Sequence, residues 1–164
     1  MHLVLFDIDD TLTRSHSIDD EIYVQSLADV FEFADVGSDW SSYRDTTDWG
    51  ILHEVSEKRC ARAPTAAQIT AFRAHFVAGI EAAAARDAFR EIQGARKVLK
   101  HLPESPLCSV GLATGAWSDS ARCKMRSAGM QYDSFPTASA DDAMARVSIM
   151  QTAIDRLIAR RGAI

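Results

Sequence analysis

The chain has 164 residues, 47% hydrophobic and 25% charged, a composition that is ordinary for a soluble globular protein and excludes a disordered chain. Its formal net charge of −5 argues against binding to a nucleic-acid backbone, so we expect no nucleic-acid partner. The sequence contains no apolar run long enough for a signal peptide or a membrane span. Its three cysteines lack metal-ligand spacing and are typical of reduced thiols. We therefore predict a cytoplasmic protein without a membrane partner.

The predicted elements begin with an apolar run over residues 3–6, which is typical of a strand buried on both faces of a parallel sheet. The segment 14–92 is then predicted to be almost wholly helical, with a break of glycine, serine and aspartate near residues 37–42. Its three predicted helices cover about 17–31, the region around 51–55, and about 64–85.

Strands and helices alternate in the rest of the chain. A short helix is predicted to end before Pro103, and an apolar strand over 107–113 follows it. Ser118 is a predicted N-cap, and Gly129 a predicted stop, for the next helix. A weaker strand within 132–138 and a helix over about 143–160 complete the pattern. The alternation predicts an α/β fold with a parallel sheet and a helical insertion after the first strand.

Three aspartates, Asp7, Asp9 and Asp10, follow the first predicted strand. Ligands of an open parallel sheet bind beyond the carboxyl ends of its strands. Strand alternation places Asp7 and Asp9 on the same side of the chain, where two carboxylates repel each other unless a hard cation such as Mg²⁺ lies between them. The alternative is a turn in which these side chains bond nearby backbone N–H groups.

The segment from Asp7 to Thr13 (Asp-Ile-Asp-Asp-Thr-Leu-Thr) resembles the first motif of the haloacid dehalogenase (HAD) superfamily. The resemblance implies that Asp7 is a nucleophile that is transiently phosphorylated and that Asp9 is a general acid/base. It also implies that both residues are ligands of a Mg²⁺ cofactor. The expected fold is a HAD-like, Rossmann-like parallel-sheet core over residues 1–13 and 93–164, with an inserted α-helical cap domain over 14–92.

Two further motifs match this resemblance. Thr114 and Gly115 end the second apolar strand and are similar to the second motif, which implies that they hold the transferred phosphoryl group; a simple turn is the alternative. Arg146 matches the cation of the third motif, and its alternative is a solvent-facing helix arginine. Lys124 is a weaker candidate for that role. Asp141 and Asp142 are predicted to cap the last helix.

The predicted cap contains one polar and aromatic stretch, around residues 43–50, that could contact a substrate. The hypothesis is that Arg44, Thr47 and Asp48 face the site, and that Thr47 and Asp48 bind the substrate. The alternative is a loop that caps the helix around Ile51, with Asp48 as its N-cap. The stretch carries no motif that identifies a particular phosphate ester.

The fourth motif of the superfamily, a strand ending in an acidic pair, has no counterpart here, because no Asp or Glu follows Asp155. We therefore expect a core that is incomplete at its C-terminus, with an exposed sheet edge that favours a homodimer. The predicted function is that of a Mg²⁺-dependent phosphatase, a phosphoric monoester hydrolase acting on a small phosphorylated metabolite. The alternative is a catalytically impaired HAD-like domain with a binding or structural role.

Overall fold

The computed structural model describes residues 2–162, which combine a parallel sheet, a two-stranded ribbon and six helices. The strands are β1 (His2–Phe6), β2 (Thr13–Arg14), β3 (Arg90–Glu91), β4 (Cys108–Ala113) and β5 (Thr137–Ala138). The helices are α1 (His16–Phe31), α2 (Asp48–Cys60), α3 (Ala66–Arg86), α4 (Ala95–His101), α5 (Ser118–Ser127) and α6 (Arg146–Gly162). The α/β fold with a parallel sheet is confirmed.

The parallel sheet has the strand order β1-β4-β5. The register of β1 on β4 runs from His2 opposite Cys108 to Phe6 opposite Leu112, so these two strands end at the same edge of the sheet. Within residues 2–162, β1 pairs only with β4, which leaves its other edge open. A homodimer through this edge stays a prediction.

The insertion after β1 consists of α1, α2 and α3, with an antiparallel ribbon at its base. In this ribbon, Thr13 of β2 lies opposite Glu91 of β3. The prediction of an almost wholly helical segment was therefore wrong at its two ends, because a two-residue strand is too short to show an alternating pattern. The division into a core and a cap domain at residues 14 and 92 stays a prediction.

The insertion packs on the sheet layer through an aromatic cluster. The ring of Trp117, at the start of α5, lies 5.9 Å from Phe72 and 6.0 Å from Phe76, both on α3. Tyr23 of α1 meets the Phe72 ring edge-on at 4.9 Å. All four side chains are buried, and such aromatic pairs stabilise a fold beyond the area that they remove from water. Helices α1 and α3 of the insertion thus pack against the start of α5.

The start of α5 differs from the prediction. Its N-cap is Trp117 rather than Ser118, and the backbone N–H of Ser118 donates 2.9 Å to Asp141 Oδ2. Asp141 was predicted to cap the last helix. It instead caps α5, which lies earlier in the chain, because α6 begins only at Arg146. Gly129 has a φ of +75° just after α5 ends, as expected of a helix stop.

Two further findings concern the chain as a whole. None of the helices in the described range combines the length and the apolar composition that a membrane crossing requires. All three cysteines are free thiols, as predicted: Cys60, Cys108 and Cys123.

Candidate active site

Asp7 lies immediately after β1, at the carboxyl edge of the sheet. Its Oδ1 accepts a hydrogen bond of 2.8 Å from the backbone N–H of Ile8, and its Oδ2 accepts one of 3.0 Å from Arg146 Nη1. The Asp7 side chain is 34% exposed and that of Arg146 is 46% exposed. The carboxylate is therefore oriented by two donors and remains open to a ligand.

The second predicted motif lies beside Asp7. Asp7, Thr114 and Arg146 line one small cavity of about 160 Å³. Thr114 is buried, and its Oγ1 accepts a hydrogen bond of 3.1 Å from the N–H of Ala116, which leaves the hydroxyl proton free to be donated. The structure thus brings three of the four predicted catalytic residues together around one space.

The absence of a side chain at Gly115 lets other protein atoms come close to its backbone. A Cβ at this position would lie 3.0 Å from Arg146 Nη2 and 3.1 Å from the carbonyl oxygen of Thr46. Both contacts are tighter than ordinary van der Waals distance, so a larger residue would displace the guanidinium or the Thr46 segment. The glycine therefore keeps Arg146 at the site.

Asp9, the fourth predicted catalytic residue, is held by two donors. Its Oδ1 accepts a hydrogen bond of 2.5 Å from the Ser15 hydroxyl and forms an ion pair of 2.7 Å with Lys124 Nζ. Burial would raise the pKa of Asp9, but the Lys124 ammonium and the Ser15 hydrogen bond outweigh it and lower that pKa below its usual value. Asp9 is consequently a carboxylate at neutral pH.

Lys124 also contacts the cap. Its Nζ lies 2.6 Å from Asp19 Oδ1 on α1, and its side chain is fully buried. Burial alone would lower the pKa of Lys124, but the carboxylates of Asp19 and Asp9 raise it above its usual value, so the group is an ammonium. Burial raises the pKa of Asp19 to about 6, even though Lys124 acts against this shift.

Sequence reasoning gave Lys124 only as a weaker candidate for the role of Arg146, and it missed Asp19 and Ser15 as parts of the site. One signal was present for Lys124. Ala121, Lys124, Met125 and Ala128 lie on one face of α5 at helical spacing, and all four are buried. A lysine on an otherwise apolar face must meet a buried partner, because burying an unpaired charge is costly. The sequence does not show which carboxylate that partner is.

The two predicted cap residues differ in position. Thr47 is the N-cap of α2: its Oγ1 accepts from the N–H of Gly50 at 3.0 Å and donates to the carbonyl of Met144 at 2.7 Å. Its hydroxyl is thus occupied by protein partners and is not available as a substrate contact. Asp48 is the first residue of α2 rather than the N-cap, and its side chain lines the larger cavity described below.

Asp48 joins the cap to the start of α5. Its Oδ2 accepts a hydrogen bond of 2.9 Å from the N–H of Trp117, and its own N–H donates 2.8 Å to the carbonyl of Gly115. Burial raises the pKa of Asp48 well above its usual value, and the neighbouring Asp19 raises it further, against the effect of Lys124. Folding therefore favours the protonated form of this side chain.

This raised pKa predicts that Asp48→Asn stabilises the protein at neutral pH. The unfolded chain ionises Asp48 near pH 4, whereas the folded chain holds the proton to a higher pH, so the wild type loses stability as the pH rises from about 4 toward the folded pKa. Asparagine keeps an acceptor for Trp117 and does not ionise. We expect a gain of about 1–3 kcal/mol at pH 7 and almost none at pH 4.

Urea unfolding of the wild type and the variant at both pH values checks this expectation. Asp48→Ala is the matched comparison, because it also removes the acid but leaves the buried N–H of Trp117 without its acceptor, and it should lose stability. A loss of stability at pH 7 in Asp48→Asn would show that the folded protein needs the Asp48 charge.

A larger cavity, of about 400 Å³, lies between the cap helices and the sheet edge. Gly115 and Arg146 line its sheet side, and Trp40 and Tyr23 line its cap side. Its wall is rich in carboxyl groups: Asp9, Asp19, Asp20, Asp39 and Asp48. The volume falls within the range of pockets that bind small molecules. Arg146 lines both this cavity and the smaller one beside Asp7.

Asp7 and Asp9 supply carboxylate and backbone oxygen atoms, the donor type that Mg²⁺ prefers. Within residues 2–162 there is no cluster of three or more His, Cys, Asp or Glu side chains arranged to hold a metal ion. The donor chemistry of the two aspartates fits Mg²⁺.

The chain was compared with known proteins. The family model of haloacid dehalogenase-like hydrolases matches residues 1–161. No curated protein sequence matches the chain. A hydrolase from Pseudomonas syringae is similar in structure, with a TM-score of 0.72 at 16% identity, over 93% of this chain and 69% of that one. CbbY from Rhodobacter sphaeroides, in complex with phosphate, gives a TM-score of 0.60 at 17% identity, over 94% and 72%.

At these identities the two structures show the fold alone, whereas the family match covers nearly the whole chain. The three sequence motifs meet at one edge of the sheet, where members of an open α/β fold bind their ligands. The chain belongs to the family of haloacid dehalogenase-like hydrolases.

Proposed function

We propose that this hydrolase is a phosphatase that cleaves a small phosphorylated metabolite through an aspartyl-phosphate at Asp7. The observation that carries the proposal is the geometry of Asp7, an accessible carboxylate whose Oδ2 is held 3.0 Å from Arg146 at the open end of β1. The adjoining cavity of about 400 Å³ suits a small substrate, and a structural relative, CbbY, was solved with phosphate.

In the first half-reaction, a carboxylate oxygen of Asp7 attacks phosphorus and the bond to the ester oxygen breaks. Arg146 and the Thr114 hydroxyl, which line the same small cavity as Asp7, would donate hydrogen bonds to the phosphoryl oxygens as charge develops on them. The leaving oxygen takes a proton from the small fraction of Asp9 that is protonated, or departs as an anion when that anion is stable, as an aryl oxide is.

In the second half-reaction, water attacks the phosphorus of the aspartyl-phosphate and regenerates the Asp7 carboxylate. Asp9 accepts the proton that this water loses. Asp9 is ionised at neutral pH, as this step requires of a base. Inorganic phosphate then leaves the site.

We further propose that the reaction depends on Mg²⁺ and that the protein works in the cytoplasm. Asp7 and the backbone carbonyl of Asp9 would hold the ion, which supplies positive charge that neutralises the phosphate. Arg146 supports the same function, because a planar guanidinium is suited to binding phosphate oxygens.

Hydrolysis of p-nitrophenyl phosphate with millimolar Mg²⁺ tests the function. We expect turnover, and we expect chelation of the metal to lower the rate by at least about 10²-fold, because the ion contributes several kcal/mol to charge stabilisation. Restored Mg²⁺ should restore the rate.

The competing function, an impaired binding or structural domain, predicts no turnover. Calorimetric titration with Mg²⁺ separates the two accounts, since an active phosphatase should bind the metal at millimolar concentration. Absence of both heat and turnover would contradict the proposed function.

A further inference from the structure

Lys124 is the buried cation that links Asp9 to the cap. It lies in the middle of α5, and its Nζ contacts Asp9 Oδ1 at 2.7 Å and Asp19 Oδ1 at 2.6 Å. Neither the three sequence motifs nor the mechanism above assigns it a role.

The position of this ammonium is fixed by packing. Lys124 is 0% exposed, and its neighbours on the same face of α5, Ala121 and Met125, are fully buried too. The side chain therefore has no route to solvent, and both carboxylates that compensate its charge come from other elements of the fold. Arg146 is the opposite case, because its half-exposed guanidinium is free to adjust to a substrate.

The Asp9 carboxylate would be badly placed without this cation. Asp19 lines the same cavity, and two carboxylates so close repel each other. The Ser15 hydroxyl is a second donor to Asp9 Oδ1, but it carries no charge with which to offset the other acids. Lys124 thus supplies the attraction that keeps Asp9 in place in the loop that follows β1.

We propose that Lys124 is a positioning residue for Asp9, which holds the carboxylate where it can take the proton from the attacking water. This inference rests on the proposed function. It predicts that loss of Lys124 slows the second half-reaction, in which a placed base is needed. The first half-reaction on an aryl phosphate should continue, because the aryl oxide departs without a proton.

The test is pre-steady-state hydrolysis of p-nitrophenyl phosphate by Lys124→Met. We expect kcat to fall about 10²-fold, the loss typical of a misplaced catalytic group, while kcat/KM stays within about threefold of the wild type. A burst of p-nitrophenolate close to one equivalent per enzyme should precede the slow phase, since the aspartyl-phosphate accumulates. Lys124→Arg should recover part of kcat, because it restores the cation.

Two further variants guard against misfolding and against an effect of the cap. Lys124→Met combined with Asp19→Asn removes both members of the buried pair and keeps the charge balance, so it replaces the single variant if that fails to fold. Asp19→Asn alone leaves Lys124 with Asp9 as partner and should show no burst. Lys100→Met, at an exposed position on α4, is the matched control and should behave as the wild type.

The outcomes are distinguishable. A wild type without phosphatase activity contradicts the proposed function itself. An active wild type contradicts the positioning role in any of three cases: if Lys124→Met keeps its kcat, if kcat and kcat/KM fall together without a burst, or if Asp19→Asn gives the same burst as the double variant.

Discussion

Asp7→Asn should abolish turnover, lowering the rate by about 10⁴-fold or more, because a neutral amide oxygen is a poor nucleophile toward phosphorus. The substitution keeps an oxygen that can accept the N–H of Ile8, so the loop after β1 should keep its shape. It weakens the contact with Arg146, but an ion pair exposed to this degree contributes only about 0–1 kcal/mol to stability. Steady-state hydrolysis of p-nitrophenyl phosphate and a thermal unfolding curve measure the two effects separately.

The matched control for this variant is Asp10→Asn. Asp10 is exposed in the same loop and has a φ of 53°, a left-handed conformation that asparagine adopts as readily as aspartate. This control should retain both activity and stability. Full activity in Asp7→Asn would exclude Asp7 as the nucleophile, and equal losses in the two variants would indicate a disturbed loop instead.

Asp9→Asn should give the second-largest loss, about 10²–10⁴-fold in kcat, the usual contribution of a general acid/base. Asparagine can still accept the Ser15 hydrogen bond, and Lys124 keeps Asp19 as a charged partner, so folding should survive. The burst expected for Lys124→Met should appear here as well, with a slower steady phase, because the base is absent rather than misplaced.

Alkyl phosphates extend this prediction to the first half-reaction. An alkoxide is a poor leaving group and needs a proton, so Asp9→Asn should lose more activity on an alkyl ester than on p-nitrophenyl phosphate. Equal losses on both substrates would assign Asp9 to the water step alone. An Asp9→Asn variant with wild-type kcat on both would remove the acid/base role.

Much of the fold was predictable, because its longer strands and helices have clear apolar patterns and capping residues in the sequence. The apolar runs before Asp7 and Thr114 became the paired strands β1 and β4, and the capping box of Thr65 and Gln68 starts α3 close to the predicted position. Short elements were not predictable. The β2–β3 ribbon has two residues in each strand, and its partners are far apart in the sequence.

The site residues likewise divide into those with a local sequence signal and those without one. Asp7, Thr114 and Arg146 could be predicted because each has a recognisable place at a strand end or a helix start. The contact of Lys124 with Asp19 could not be predicted, since the two residues are separated by 105 positions and meet only when helix α1 packs near α5. The capping function of Asp141 for α5 is likewise a tertiary contact without a local signal.

The central claim, an aspartyl-phosphate at Asp7, is tested most directly by trapping it. Acid quenching of Lys124→Met during turnover of p-nitrophenyl phosphate, followed by peptide mass analysis, should find one phosphoryl group on the peptide that contains Asp7. The same treatment of an Asp7→Asn variant should find none. A phosphoryl group on a different residue, or steady turnover with no phosphorylated peptide at any quench time, would contradict the account.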